Sequence, residues 1–331
     1  MKKRLISGIQ PTGQLHLGNY LGSIRNWIPL AEEHETLVFL ADLHAITIAQ
    51  EPSLLRSSIR NTAATYIACG LDPKAITIFC QSAVYQHTEL AWILSCMTQI
   101  GWMNRMTQFK EKSAKVKDLA SFGLYAYPIL MASDILVYKA DIVPVGADQK
   151  QHIELTRDIA SAFNRHVGIE YFKLPEPKIF DVACRIMSLR DGTKKMSKSD
   201  ESDYSRINLN DDADLILKKI QKAKSDSIIE ITYNKEARPE VSNLIEIYSA
   251  LSNQKITEIV NEYHDAGFAK FKRDLAEILI THISPITRKI NELKQEPDYL
   301  DQVLKEGANK ARTLANIHMQ EIKELIGFLP S

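Results

Sequence analysis

The chain has 331 residues, 45% of them hydrophobic, which is enough for a packed core in one large domain or two medium ones. Its 41 basic and 41 acidic residues balance, which argues against a generally basic nucleic-acid-binding coat but allows a local basic face. The four cysteines form no Cys-x-x-Cys pair, so we expect reduced thiols in a cytoplasmic protein, without structural zinc or an iron–sulfur cluster. No apolar run has the length of a membrane span or a signal peptide.

Strand and helix patterns alternate through the first half of the chain. Short apolar runs predict strands at 5–9, 36–40, 75–80 and 142–145. Amphipathic or apolar stretches between them predict helices at 20–30, 52–69, 88–100 and 123–139, and a further helix from about 149 to 165. This order predicts an α/β fold with a doubly wound parallel sheet, in which ligands bind beyond the carboxyl ends of the strands.

The pattern changes after residue 205. Helices are predicted at 211–223, 239–251, 268–282, 286–294 and 298–326, and only 228–233 has the pattern of a strand. We therefore expect two domains, a catalytic α/β domain over 1–205 and a C-terminal, mainly helical domain over 206–331.

A glycine-rich turn joins the first predicted strand to the first predicted helix. Residues 8–19 have the sequence Gly-Ile-Gln-Pro-Thr-Gly-Gln-Leu-His-Leu-Gly-Asn. Glycine lets a ligand approach the backbone closely, and the N-terminus of the following helix favours phosphate. The stretch is neither a P-loop nor a dinucleotide fingerprint. By itself it is either an ordinary connection between strand and helix or a phosphate site.

A second unusual stretch, residues 194–199, has the sequence Lys-Lys-Met-Ser-Lys-Ser. It follows the turn-forming sequence Arg-Asp-Gly-Thr at 190–193. Alone it is either a solvated basic loop or a cationic site for an anion.

Taken together, the two stretches resemble a known family. His-Leu-Gly-Asn at 16–19 resembles the HIGH signature of class I aminoacyl-tRNA synthetases, with Asn19 in place of the second histidine. Lys-Met-Ser-Lys-Ser at 195–199 matches their KMSKS signature letter for letter. Residues 106–113, 128–136 and 144–152 are similar to the bacterial tryptophanyl branch of that class, and the likeness covers nearly the whole chain.

The resemblance implies a Rossmann-like, HUP-type catalytic domain and a homodimer in the cytoplasm. It implies that L-tryptophan is activated by ATP with Mg²⁺, releasing pyrophosphate, and is then transferred to tRNA(Trp). The helical segment 206–331 would bind the tRNA, including its anticodon.

The resemblance also implies three sets of site residues and no metal ligands. The catalytic residues would be Gln10, Lys112, Lys195 and Lys198. ATP would contact Gln10, Pro11, Thr12, His16, Gly18, Asn19, Gly146, Ala147, Asp148, Ile186, Lys195, Met196, Ser197, Lys198 and Ser199. Tryptophan would contact Ile6, Gly8, His44, Tyr127, Met131, Asp134, Ile135, Val143, Val145 and Gln149.

Several of these residues have a purely structural alternative. Asp134 lies in an apolar helical stretch and must be paired, either within its own helix or by the indole N–H of tryptophan. Asp148 either caps a helix or meets the ATP ribose. The lysine run 110–117 is either a solvated face or a phosphate contact, and His152 and His166 are expected to cap or pack rather than to catalyse.

Three rival functions are weighed against this expectation. A tyrosyl enzyme of the same fold is disfavoured because Ile6 stands where that family has a tyrosine. A small-molecule nucleotidyltransferase is disfavoured by the helical segment and the complete KMSKS signature. A non-catalytic RNA-binding relative is disfavoured by the intact catalytic set.

Overall fold

A parallel sheet forms the centre of the computed structural model, which describes residues 2–106, 121–146, 149–178 and 185–329. Its strands within those ranges are β1 (Arg4–Ile9), β2 (Glu35–Leu40), β3 (Thr77–Cys80), β4 (Ile142–Pro144) and β5 (Glu176–Lys178). They pair in the order β3-β2-β1-β4-β5, all in parallel. The direction in which strands are added reverses between β1 and β4, and open α/β sheets bind ligands outside such a point.

Helices flank the sheet, and loops and turns join these elements. The first, α1, runs continuously through Leu17–Asn19, a π-helical turn Tyr20–Ile24 and Arg25–Glu33. The others in the first half are α2 (Asp42–Ala45), α3 (Pro52–Ala68), α4 (Gln86–Ser95), α5 (Ile100–Met103), α6 (Phe122–Leu136) and α7 (Lys150–Val167). The second half contains α8 (Ala213–Gln221), α9 (Pro239–Ser252), α10 (Ile256–Tyr263), α11 (Gly267–Lys294) and α12 (Pro297–Leu325). None of these helices is long and apolar enough to span a membrane.

Apolar residues explain why the sheet forms where the sequence predicts it. Ile6 pairs with Leu37 in the register of β1 and β2, and both side chains are buried. Helices cover both faces, so the strands are continuous apolar runs rather than alternating ones. The predictions of β1 to β4, and of an α/β sheet followed by a helical segment, are therefore confirmed.

The predicted strand at 228–233 is wrong, because a buried arginine occupies the backbone groups that a neighbouring strand would pair with. The Arg238 guanidinium donates to the carbonyl oxygens of Ile228 at 3.1 Å and Glu230 at 2.6 Å. It also forms a paired contact with the carboxylate of Asp226, at 2.7 and 2.8 Å. The apolar pattern arises from one buried side chain, Ile231, in an irregular loop.

Some helix bounds also differ from the prediction. The helix predicted at 88–100 ends at Ser95, and a turn separates it from α5. Near its end the Thr98 hydroxyl donates a hydrogen bond to the Leu94 carbonyl at 2.8 Å. The two helices predicted at 268–282 and 286–294 are one helix, α11, which contains Pro285. The sequence analysis missed β5, a short exposed edge strand that contains a proline, and α10.

The last helix, α12, returns to the sheet and covers its β3 edge. Its residues Ala308 and Ala311 share a hydrophobic cluster with Phe79 of β3. The chain approaches so closely that a Cβ on Gly307 would lie 1.9 Å from the carbonyl oxygen of Ile78. The division of the chain at 205–206 stays a prediction, with the addition that α12 packs against the strands of the first segment.

Gly307→Ala tests this close contact. We expect it to destabilise the protein by roughly 1–3 kcal/mol, because a methyl group there forces the helix away from the edge strand. The matched control is Gly101→Ala in α5, where no atom of the described residues lies within 4 Å of the new carbon. That control should be neutral or slightly stabilising, since alanine favours helix over glycine. Thermal unfolding of both variants measures the difference, and equal midpoints would contradict the packing described here.

Candidate active site at the carboxyl edge of the sheet

The two unusual stretches of the sequence lie against each other. The ammonium group of Lys198 donates to the carbonyl oxygen of Gln10 at 3.0 Å. A Cβ on Gly13 would lie 3.7 Å from the Cβ of Lys198. The basic loop therefore lies over the loop that follows β1, although 188 residues separate the two partners of the hydrogen bond.

A short antiparallel pairing holds the basic loop in place. Met187 and Lys195 form a bridge, and the Met196 N–H donates to the Ile186 carbonyl at 3.0 Å. The buried side chains of Ile186 and Met196 join the hydrophobic core. The side chains of these two predicted ATP contacts are therefore part of the core, and the Met196 N–H and the Ile186 carbonyl are paired with each other.

A buried asparagine fastens this pairing to the helical segment. The Asn243 side chain, on α9, accepts from the Met187 N–H at 2.8 Å and donates to the Met187 carbonyl at 3.0 Å. The sequence analysis missed Asn243, since nothing in a helical pattern marks one polar position as a clamp on a distant backbone.

His16 carries an imidazole nitrogen that is ready for a ligand. Its side chain is buried, and its Nδ1 atom has no hydrogen-bond partner among the described residues. Burial, with the nearby cations Lys198, Arg206 and Lys195, lowers the pKa of His16 to about 3. The ring is therefore neutral at physiological pH and can use its nitrogens as one donor and one acceptor. The Asn19 side chain accepts from the His16 N–H at 3.1 Å, which fixes the start of α1.

The two lysines of the signature differ in their surroundings. Lys195 is exposed, whereas Lys198 is partly covered, and burial lowers the pKa of the Lys198 ammonium to about 8. A bound anion would restore a higher pKa, so the site favours negative charge at this position.

Asp134, on α6, is buried and fully satisfied by side chains from other elements. Its Oδ1 accepts from Gln81 Nε2 at 2.7 Å and from His87 Nδ1 at 2.6 Å, and its Oδ2 accepts from His44 Nε2 at 2.8 Å. A pair within its own helix, one of the two alternatives, is thus wrong. The other ring nitrogen of His87, Nε2, forms a hydrogen bond with the Tyr138 hydroxyl at 2.8 Å.

These donors set the charge of the carboxyl group. Burial would raise the pKa of Asp134, but His44 and His87 outweigh it and hold the pKa at about 2. The carboxylate is therefore ionised at neutral pH. Oδ2 has only one donor among these contacts, so it retains capacity to accept another from a ligand.

Most of the predicted apolar contacts of tryptophan belong to one hydrophobic cluster or pack against it. Ile6, Ile135 and Val143 belong to this cluster, and the partly buried side chains of Met131 and Val145 pack against it. The Tyr127 hydroxyl hydrogen-bonds to His152 Nε2 at 2.9 Å, and its ring meets the His44 ring edge-on at 6.2 Å. The expectation that His152 packs rather than catalyses agrees with this buried contact.

Gly8, near the end of β1, comes too close to β2 to carry a side chain. Gly8 is exposed, and a Cβ there would lie 2.9 Å from the Phe39 ring and backbone. Any side chain at this position would disturb the sheet edge.

Some predicted site residues lie elsewhere in the chain or outside its described part. Pro11 and Thr12 lie in the loop after β1, Gly18 in the first turn of α1, Ser197 and Ser199 in the basic loop, and Gly146 and Gln149 beyond the end of β4. Lys112, Ala147 and Asp148 lie outside the described residues, as does the lysine run 110–117. The described residues contain no group of three or more His, Cys, Asp or Glu side chains placed to hold a metal ion.

Comparison with known proteins identifies the class. A family model described as tRNA synthetases class I (W and Y) matches residues 2–284. A tryptophan–tRNA ligase of Rickettsia felis is 56% identical over 99% of this chain and 100% of its own length. One of Caulobacter vibrioides is 50% identical over 98% of this chain and 95% of its own.

Solved structures agree. The tryptophanyl-tRNA synthetase of Mycoplasma pneumoniae superposes with a TM-score of 0.89 at 34% identity, covering 99% of both chains. That of Campylobacter jejuni, complexed with ADP and tryptophan, gives 0.83 at 34% identity, covering 98% of this chain and 100% of its own. The chain belongs to the class I aminoacyl-tRNA synthetases of the tryptophan and tyrosine family. The curated and structural relatives named above are all tryptophan enzymes of bacteria.

The ionised state of Asp134 predicts a pH dependence of stability. Its folded pKa of about 2 is lower than the ordinary value of 3.8, so its contribution is complete above about pH 4 and is lost as the pH falls toward 2. We expect the stability difference between the wild type and Asp134→Asn to shrink by about 1 kcal/mol between pH 6 and pH 3. Urea unfolding at both pH values measures it, with the exposed Asp158→Asn as control. A difference that does not change with pH would mean that the carboxylate has no such pairing.

Proposed function

We propose that this chain is a tryptophan–tRNA ligase. It activates L-tryptophan with ATP to tryptophanyl-adenylate and pyrophosphate, and then transfers tryptophan to tRNA(Trp). The observation that carries the proposal is the contact between the glycine-rich loop after β1 and the basic loop, through Gln10 and Lys198, in a chain that also buries an ionised Asp134 and whose relatives are tryptophan–tRNA ligases.

The phosphate half of the site works mainly by positioning charge. The tryptophan carboxylate attacks the α-phosphorus of ATP, and pyrophosphate leaves with extra negative charge. Lys195 and Lys198, with Lys112, are proposed to stabilise that charge, and Gln10 and Thr12 to orient the reacting groups. ATP enters as its Mg²⁺ complex. Neutral His16 is proposed to hydrogen-bond a phosphate oxygen through its N–H.

The remaining proposed ATP contacts are divided among the phosphates, the ribose and the adenine. Backbone and small side chains of the first loop would hold the phosphates, the residues after β4 the ribose, and the backbone of Ile186 the adenine. They are Pro11, Gly18, Asn19, Gly146, Ala147, Asp148, Met196, Ser197 and Ser199.

The amino-acid half of the site selects an indole. Asp134 is proposed to accept the indole N–H at Oδ2, since Oδ1 already has two donors. Gln149 is proposed to bind the ammonium group. The apolar walls would be Ile6, Gly8, Tyr127, Met131, Ile135, Val143 and Val145, with His44 between Asp134 and Tyr127.

A tyrosine enzyme is the second candidate because the family model covers both amino acids. A phenol needs a hydroxyl partner on the first strand, and Ile6 offers none. The deciding experiment is exchange of pyrophosphate into ATP with tryptophan, tyrosine or no amino acid, followed by charging of tRNA. Exchange that depends on tryptophan alone supports the proposal, whereas tyrosine-dependent exchange favours the rival.

The proposal includes the cytoplasm as location, 206–331 as the tRNA-binding and anticodon-binding domain, and a homodimer. Large apolar side chains are exposed beside the start of α6, namely Phe122 at 80% and Ile46 at 57%. The Ser121 hydroxyl donates to the Thr47 carbonyl at 3.0 Å, which brings these two regions together. A second copy covering them would remove apolar surface from water.

The first activity prediction concerns Lys198. We expect Lys198→Ala to slow adenylate formation by an amount equal to roughly 2–4 kcal/mol of barrier, while tryptophan binding is kept. Lys194→Ala is the matched control, since Lys194 is an exposed neighbour paired with Asp191 at 3.0 Å. Single-turnover kinetics separates the two. Equal rates in both variants would exclude Lys198 from the chemical step.

The second activity prediction concerns selectivity at Asp134. Asp134→Asn should lose on the order of 1–3 kcal/mol in kcat/KM for tryptophan, because an amide is a weaker acceptor. Asp134→Ala should also lose discrimination against phenylalanine, since no carboxylate then remains unpaired when phenylalanine binds. Exchange assays with tryptophan, phenylalanine and tyrosine measure both, corrected for the folded fraction. An unchanged ratio of tryptophan to phenylalanine in Asp134→Ala would make Asp134 a structural carboxylate.

A further inference from the structure

A fully buried lysine lies at the centre of an ionic cluster next to the glycine-rich loop after β1 and the basic loop. Lys219, on α8, has no exposed surface, and its ammonium nitrogen lies 2.6 Å from Asp203 Oδ2 and 2.6 Å from Asp211 Oδ2. A lysine is almost never fully buried unless it is paired, and an ammonium without partners here would be costly. The cluster therefore holds its members in one arrangement.

The cluster fixes the conformation of residues 203–211. Asp211 accepts from the Asn208 N–H at 2.9 Å and from Asn208 Nδ2 at 3.2 Å, and Asn208 Nδ2 also donates to Asp203 at 2.9 Å. Arg206 pairs with Asp203 at 3.1 Å. The segment is folded around the single ammonium group of Lys219.

The same segment is joined to the His16 loop by backbone hydrogen bonds. The Leu17 N–H donates to the Ile207 carbonyl at 2.8 Å, and the Leu209 N–H donates to the Leu15 carbonyl at 2.9 Å. His16 and Asn208 form the antiparallel bridge between them.

The segment is also joined to the basic loop. Arg206 donates to the carbonyl oxygen of Asp200, directly after the lysine signature, at 3.0 Å. The Leu189 N–H donates to the Ser205 carbonyl at 2.9 Å. This hydrogen bond joins the segment to the antiparallel pairing of Met187 with Lys195. One short segment therefore contacts both phosphate loops, and Lys219 organises that segment.

We propose that Lys219 is a positioning residue for ATP, which sets the spacing between the His16 loop and the Lys198 loop through Asp203 and Asp211. The proposal rests on the proposed function, since it concerns the activation step. Lys219 touches no substrate. Its effect is confined to the ATP half, because Asp134 and its donors lie on α6, α4, α2 and the turn after β3.

The principal test is Lys219→Met, which keeps the length of the side chain and removes its charge. The matched control is Lys218→Met, an exposed neighbour on the same helix. We expect Lys219→Met to reduce the single-turnover rate of adenylate formation roughly tenfold to a hundredfold, since small misplacements of reacting groups have effects of that size. KM for ATP should rise, and tryptophan affinity should stay within about twofold by this reasoning.

A merely structural role gives a different result. If Lys219→Met only loosens the protein, affinities for tryptophan and ATP fall together, or the rate per folded active site is unchanged, and either result overturns the proposal. If Lys219→Met does not fold, Asp203→Asn is the deciding variant. It removes the negative charge of only the more exposed of the two carboxylates that pair with Lys219. It should raise KM for ATP without changing tryptophan affinity, and an unchanged KM for ATP overturns the proposal.

A failure of this proposal can be distinguished from a failure of the proposed function. Wild-type protein is assayed first for tryptophan-dependent pyrophosphate exchange. No exchange in the wild type contradicts the proposed function, whereas exchange that is equal in the wild type and in Lys219→Met contradicts only the role of Lys219.

Discussion

The hydrogen bond from Lys198 to the Gln10 carbonyl is the contact on which the site depends, because it joins two loops that the chain places far apart. Each loop alone is an ordinary surface feature. Together they bring a neutral imidazole, an exposed ammonium and a partly desolvated ammonium to the end of β1. A site for a triphosphate needs cations whose positions are set before the charge arrives, since reorganisation then costs little during the reaction.

The helical segment supplies much of that order. Asn243 fixes the backbone of Met187, and the Lys219 cluster fixes the segment that follows the signature. The sheet provides the other half, because parallel strands end at one edge and present their following loops together. The arrangement of the glycine-rich loop and the basic loop therefore depends on both the sheet and the helices.

The amino-acid half of the site follows a different physical rule. A buried carboxylate is tolerated only when donors compensate for lost hydration, and Asp134 has three. Those donors fix the direction of its free acceptor capacity before any ligand arrives. We propose that an indole N–H meets this ordered acceptor, whereas an apolar ring without a donor would meet a charge that it cannot satisfy.

The sequence was sufficient to predict the α/β order, the strand ends and the two signature loops, since these depend on local apolar patterns and short motifs. It was not sufficient where one distant side chain decides. Arg238 converts an apolar run at 228–233 into an irregular loop, and packing of Ile283 and Ile286 carries α11 past Pro285. His87 and Gln81 meet Asp134 across 47 and 53 residues, a relation that no periodicity encodes.

The most direct measurement is a crystal structure of this chain with a non-hydrolysable analogue of tryptophanyl-adenylate. The expected result has the indole N–H within hydrogen-bond distance of Asp134 Oδ2, the phosphate beside His16, and His87 and Gln81 still bonded to Oδ1. An indole bonded elsewhere, or a phosphate outside the space between the His16 and Lys198 loops, would contradict it.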